Sequence, residues 1–231
     1  MTGIGLPAAL DAWAMQIVVH LPRPGSPEGD PPTRRALVEA VATAAGRLVD
    51  AGYGDDADPE WAAAVRRYED GGRIRKVVRR ARGVHWRRVR ELPGVGVTHD
   101  GASVRALLPG PVGDLPDEVR RLPVDGTDVP DVVGESGERD GDPAALAVAL
   151  NPVVTMTAGD AAAQAGHAAQ RAWHAMPATR RRAWSAAGCP VRLVDVPPGD
   201  WATAPDRATV VVRARGLTEV RPGTATAIAY W

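Results

Sequence analysis

Arginine crowds one stretch of this 231-residue chain. Arg73, Arg75, Lys76, Arg79, Arg80, Arg82, Arg87, Arg88 and Arg90 fall within residues 73–90, with His85 and Trp86 among them, and only Glu91 follows to offset them. Guanidinium forks match phosphate oxygens in geometry, and an indole such as Trp86 can stack on a base. A helix over 73–82 would put Arg73, Lys76 and Arg80 on one face, with Arg75, Arg79 and Arg82 beside it. The competing reading is a solvated helix paired with acidic loops such as 55–58. A smaller cluster, Arg180, Arg181 and Arg182, could extend the same surface. Formal net charge is zero, so the basic character is local and the whole molecule is no electrostatic magnet for RNA or membranes.

The elements that must carry these residues can be read in order. Residues 15–21 form a short, β-branched run closed by Pro22, which is a buried strand. The Pro/Gly-rich 22–32 is loop. Thr33 is placed to cap a helix in which Leu37, Val41, Ala44 and Leu48 recur at helical spacing, with Gly52 as its stop. Residues 61–68 and 73–82 read as helical, parted by Gly71 and Gly72. Residues 85–92 and 102–108 read as strands around a Pro/Gly turn, and 115–122 as a short helix. Residues 125–143 are dense in Gly, Asp, Glu and Pro and bury too little to offset ordering, so they read as a linker. The linker separates an N-terminal α/β domain, 1–124, from a C-terminal domain, 144–231. In the latter, a strand over 146–156 counts Val153, Val154 and Met156 among its apolar residues. Helices follow over 161–176 and 178–187, then strands over 191–196, 209–214 and 226–231.

This order belongs to the α/β class, with a small mixed β-sheet sandwiched by helices. Each half begins with a short apolar strand and an alanine-rich helix, continues through an arginine-rich helical stretch, and ends in strands split by Pro/Gly turns. The expectation is two similar α/β halves, the first a diverged repeat, packed as an internal pseudo-dimer; a homodimer is the other assembly considered. Trp61, Trp173, Trp184 and Trp201 read as core. Cys189 is the only cysteine, so no internal disulfide can form, which suits a reducing cytoplasm. No apolar run reaches the length of a membrane span, and the first residues carry no signal-peptide pattern. The five histidines are scattered, with no carboxylate or thiol arranged to complete a metal site. No Gly-rich phosphate loop precedes a helix, so neither a metal nor a nucleotide cofactor is expected.

Two blocks of the C-terminal half carry a pattern. The first is Gly159-Asp160-Ala161-Ala162-Ala163-Gln164-Ala165-Gly166-His167-Ala168. The second is Ala214-Arg215-Gly216-Leu217-Thr218-Glu219, followed by Pro222-Gly223-Thr224-Ala225-Thr226 and an apolar strand. Together, in this order, they resemble the type 2 peptidyl-tRNA hydrolase family of archaea and eukaryotes. The resemblance covers residues 152–231, about a third of the chain. Residues matching the family's Gln and Thr are kept as Gln164 and Thr218, but the family's lysine is Asp160 here and its aspartate is Ala214.

The resemblance implies a peptidyl-tRNA hydrolase, an enzyme that cleaves the ester between a peptide and tRNA. Such chemistry needs an oriented water, donors for the developing oxyanion, and help for the departing ribose hydroxyl. Gln164 would orient water or the carbonyl, and Thr218 and Thr224 would donate hydrogen bonds. Free N–H groups lie at the start of the helix. Asp160 is either a base or an N-cap, and His167 either a catalyst or a packing residue. Arg213 and Arg215 could pair with Asp160 in reversed polarity only if a bulge broke strand alternation, which otherwise turns them away from Ala214. Arg73 through Arg82, with Arg180 and Arg181, would grip tRNA phosphates. The missing charge pair keeps two alternatives open: a degenerate RNA-binding protein of the same fold, and a non-RNA dimerisation module.

Overall fold

A computed structural model describes residues 12–71, 74–124, 126, 127, 129, 142–214 and 220–231. The first half runs β1 (Trp13–His20), α1 (Arg34–Tyr53), α2 (Pro59–Asp70), β2 (Lys76–Ala81), α3 (Gly83–Arg90), β3 (Gly94–His99), β4 (Ala102–Leu107), β5 (Gly110–Pro111) and α4 (Asp117–Arg120). The second runs β6 (Leu146–Leu150), α5 (Ala158–Ala175), α6 (Ala178–Ala186), β7 (Val191–Leu193), α7 (Ala204–Arg207), β8 (Val210–Arg213) and β9 (Ala225–Tyr230). The sheets have the orders β2-β1-β4-β3 and β7-β6-β9-β8, with the short β5 added to β1. In each order the first two strands are parallel and the third is antiparallel to both of its neighbours. The two halves therefore repeat one connectivity.

Strand alternation explains how the layers stack. Met15, Ile17 and Val19 of β1 face one core together with α1, α5 and Leu146 and Val148 of β6. Val18 points the other way, into a cluster with Trp86, Val89, Val119 and Leu122 from α3 and α4. The outer face of the second sheet, Ala149 and Ile228, is covered by Trp201 and Ala204. Small residues let α1 and α5 approach closely. A Cβ on Gly166 would lie 3.1 Å from the Lys76 stem and 3.4 Å from Ala45. One on Gly46 would meet the Trp184 ring at 2.8 Å.

Each long helix also crosses the first edge strand of the opposite sheet. Arg35, at the start of α1, reaches the Leu193 carbonyl and Asp195 at the end of β7, while Arg47, near the helix end, reaches the Gly188 carbonyl just before β7. So α1 runs antiparallel to β7, as it does to its own β1, and the parallel strands of both sheets point their carboxyl ends to one end of the molecule. Arg34 bonds the Met156 carbonyl there, joining the starts of α1 and α5.

Three expectations are corrected. The helix expected over 73–82 is not found in its described part, 74–82; 76–81 form β2, because Lys76 through Ala81 pair in parallel register with Met15 through His20. Residues 85–92 are not a strand; α3 occupies 83–90, since Trp86 and Val89, three apart, bury one helical face. Strand β6 ends at Leu150, not 156. There Asn151 turns the chain by donating to the Ala225 carbonyl and accepting from Val153 N–H, leaving Val153 exposed. Thr33 does cap α1, and Trp173, Trp184 and Trp201 are buried. The expected linker lies mostly outside the described residues. No helix among the described residues is long and apolar enough to cross a membrane.

Candidate functional site

The two motif blocks meet at the carboxyl end of β6. Thr226, fully buried, places its hydroxyl 2.7 Å from Gln164 Oε1 and 3.3 Å from the Val212 carbonyl, so α5, β8 and β9 converge on one side chain. Bonding through Oε1 leaves the Gln164 amide nitrogen as the end that donates. Asp160 is the third residue of α5, and the N-cap is Thr157. Thr157 Oγ accepts from Asp160 N–H and donates to Asp160 Oδ2 at 2.9 Å, a variant of the capping box. The N-cap assignment of Asp160 is thus corrected by three residues. The Gly159 N–H, which a substrate anion could otherwise use, goes to the Thr127 hydroxyl at 3.1 Å.

Ala214 is buried at the foot of the hairpin that returns through Gly223 and Thr224. A register shift does occur between Val212 and Arg213, the bulge that a reversed charge pair would need. Arg213 uses it otherwise, donating to the Gly223 carbonyl at 3.1 Å. Thr224 is half-buried and its carbonyl accepts from Ala214 N–H. Thr218 lies outside the described residues, as do Arg215 and Arg73.

His167 faces a second cluster, one helical turn along α5. Lys76, the single lysine, is buried where β2 meets α5. Its ammonium donates to Gln170 Oε1 and lies 3.4 Å from both the Tyr68 hydroxyl and His167 Nδ1. The Gln170 amide donates on to Glu69, whose carboxylate also takes the Tyr53 hydroxyl at 2.6 Å and lies 3.0 Å from His174 Nε2. Burial pushes the Lys76 ammonium down to about 7, against the pull of Glu69. Burial also raises the Glu69 carboxyl, but the bonds from His174, Tyr53 and Gln170 outweigh it and hold the group below its ordinary range. A lysine–carboxylate pair thus exists in this chain, bridged by Gln170 and sealed into the joint between the halves. Lys76 is therefore no phosphate ligand, which corrects its place in the basic cluster.

The remaining arginines divide. Arg79 is half-buried, donating to Gln16 Oε1 and the Leu122 carbonyl, and burial lowers its pKa. Trp86 is buried and stacked on His20 at 5.2 Å, so it offers no base platform. Arg180 bonds the Pro143 and Ala144 carbonyls just before β6, and Arg181 lies over the Trp173 ring at 4.5 Å. Both sit at the end of β6 opposite Gln164, so the two basic clusters do not form one surface. Arg75 is half-buried, with its carbonyl on the Tyr68 hydroxyl. Arg80 and Arg82, by contrast, line an open pocket of about 240 Å³ at the carboxyl ends of β1 and β2, with His85, Arg121, Leu21 and Leu122.

Comparison with protein-family models, with curated proteins and with solved structures finds no match to this chain. The resemblance rests on the motif residues alone.

Sequence reasoning missed Thr226, Thr127 and the Lys76 cluster. Lys76 did carry a signal: one lysine in a chain that otherwise uses arginine marks a position where a compact ammonium fits and a guanidinium does not. Glu69, Gln170 and His174 carried none, because their partners are distant in sequence.

Proposed function

We propose that the protein is a peptidyl-tRNA hydrolase-like enzyme that cleaves the ester joining a peptide to tRNA. The observation that supports this most is the convergence of the two motif blocks through the Gln164–Thr226 bond. That bond takes Oε1 and leaves the amide nitrogen of the buried Gln164 as a neutral donor. In this reading Gln164 donates to the ester carbonyl or holds the attacking water, and Thr218 and Thr224 supply further donors to the oxyanion. Asp160 stays bonded to Thr157, and His167 belongs to the joint. The domain of residues 144–231 does the chemistry, 1–124 contributes the grip on tRNA, and the substrate places the protein in the cytoplasm.

A second reading has its own observation. Asp160 and Ala214 replace the family's charge pair, and Arg213 is spent on a backbone carbonyl. The same fold could hold tRNA without cleaving it. Single-turnover hydrolysis of N-blocked aminoacyl-tRNA separates the two. The enzyme reading expects peptide release that falls at least tenfold in Gln164→Ala. Release no faster than the uncatalysed rate, with tRNA still bound, would replace it with the second reading.

A further inference from the structure

The pocket at the carboxyl ends of β1 and β2 lies where open α/β sheets characteristically bind ligands. Its polar lining is Arg80, Arg82, Arg121 and His85, with no carboxylate in the wall among the described residues. Arg82, His85 and Arg121 are exposed. Gly83, at φ +58°, starts α3 at the pocket, and its N-cap residue, Arg82, makes no side-chain cap bond. One carboxylate is already drawn to it: Glu28 accepts Gly83 N–H at 2.9 Å and sits 3.5 Å from His20 Nε2. Beyond the pocket, the exposed side of α3 carries Arg87, Arg88 and Arg90. The basic surface thus continues as a track, which suits a chain of phosphates better than one small anion.

The pocket is also tied to the candidate site. Arg80 N–H bonds the Pro123 carbonyl, Gly126 lies against the Arg80 guanidinium, and Thr127 holds Gly159 N–H. Pro123 and Thr127 are four residues apart, so the pocket rim stands within roughly 15 Å of Thr127, whose hydroxyl holds the first turn of α5. Both open to the same end of the molecule.

We propose that this pocket grips one backbone phosphate of an RNA strand, through Arg82 and Arg121 with His85 and the first turn of α3, and that the α3 arginines take the phosphates beyond it. The proposal rests on the reading of tRNA as substrate and names its phosphate site. The volume suits it: the pocket is smaller than those that enclose drug-sized ligands, and ample for a phosphoryl group.

The test is fluorescence anisotropy with labelled deacylated tRNA across a salt series. It compares the wild-type chain, Arg82→Ala/Arg121→Ala, and Arg182→Ala, an exposed arginine on α6 at the far end. A circular-dichroism melt confirms that each variant folds. The double variant is expected to bind at least tenfold more weakly, with the slope of log affinity against log salt reduced by about one per arginine, while Arg182→Ala binds as wild type. An unchanged dissociation constant and slope in the double variant would overturn the proposal. So would inorganic phosphate binding that is lost in the double variant while tRNA binding is untouched, which would make the pocket a site for free phosphate. Hydrolysis measured on the same samples keeps the two ideas apart. Weakened binding with no hydrolysis by wild type sinks the enzyme reading and leaves the phosphate site standing.

Discussion

The two halves share a strand order, yet the joints they make with each other are chemically opposite. Where α1 crosses β7, the edge strand is held through its backbone. Val191 N–H donates to Thr43 Oγ at 3.2 Å, Leu193 N–H donates to Glu39 Oε1 at 2.7 Å, and Arg35 donates to the Leu193 carbonyl. Where α5 crosses β2, the contact is made by side chains, with Lys76 reaching Gln170 and His167. Val191 and Lys76 stand at the same register position, opposite Leu146 and Met15. One joint closes with hydrogen bonds to the backbone of the edge strand. The other buries an amine that titrates near pH 7. One topology can thus be sealed in two ways, and the second buries an ammonium that burial drives toward its neutral form.

The largest effect should come from the apolar part of the α1 joint. Trp184 is fully buried beneath Gly46 and donates to the Pro190 carbonyl at 2.8 Å. Trp184→Ala should cost about 3–5 kcal/mol, read as a loss in the urea midpoint; a cost below 1 kcal/mol would mean that the joint is not packed as described. Glu39→Ala comes next. It strips the Leu193 N–H of its acceptor and removes one of the partners of His99, at 2.9 Å, and should cost roughly 2 kcal/mol, as charged hydrogen bonds do.

Lys76→Met sharpens the contrast through pH. A lysine depressed in the folded state binds fewer protons there than in the unfolded chain above pH 7, so stability rises with pH. Between pH 7 and 8.5 the wild type should gain up to about 1.4 kcal/mol per pH unit from this group. Higher pH brings an opposing effect: burial raises the Cys189 thiol to about 12 and the Tyr53 and Tyr68 hydroxyls as well, so the unfolded chain then releases protons first. Denaturation midpoints at several pH values should show the rise in wild type and its loss in Lys76→Met; parallel curves would remove the amine from the account. The smallest effects are at the caps. Thr33→Ala and Thr157→Ala should each cost about 1 kcal/mol, with Thr157 the larger because its hydroxyl also holds Asp160. Equal melting temperatures for the two variants would count against that added bond.

The sequence shows unequal amounts of all this. The α/β class, the Thr33 cap, the long alanine-rich helices and the matching outline of the halves are local or periodic signals, and they are legible. The exchange of helix and strand at β2 and α3 is not. Val77 and Val78 among arginines satisfy either pattern, and only pairing with β1 decides for strand. The motif blocks announce Gln164, but the hydroxyl that fixes it, Thr226, gains its meaning from a bond across 62 positions. Lys76 sits among arginines, and only its being the single lysine sets it apart from them.

The central claim divides the labour: chemistry beside Gln164, grip beside Arg82 and Arg121. Steady-state hydrolysis of N-blocked aminoacyl-tRNA by the wild type, Gln164→Ala and Arg82→Ala/Arg121→Ala tests it in one experiment. The account expects Gln164→Ala to lose kcat with KM little changed, and the double arginine variant to raise KM with kcat little changed. Turnover lost from kcat in both variants, or absent in the wild type, would contradict it.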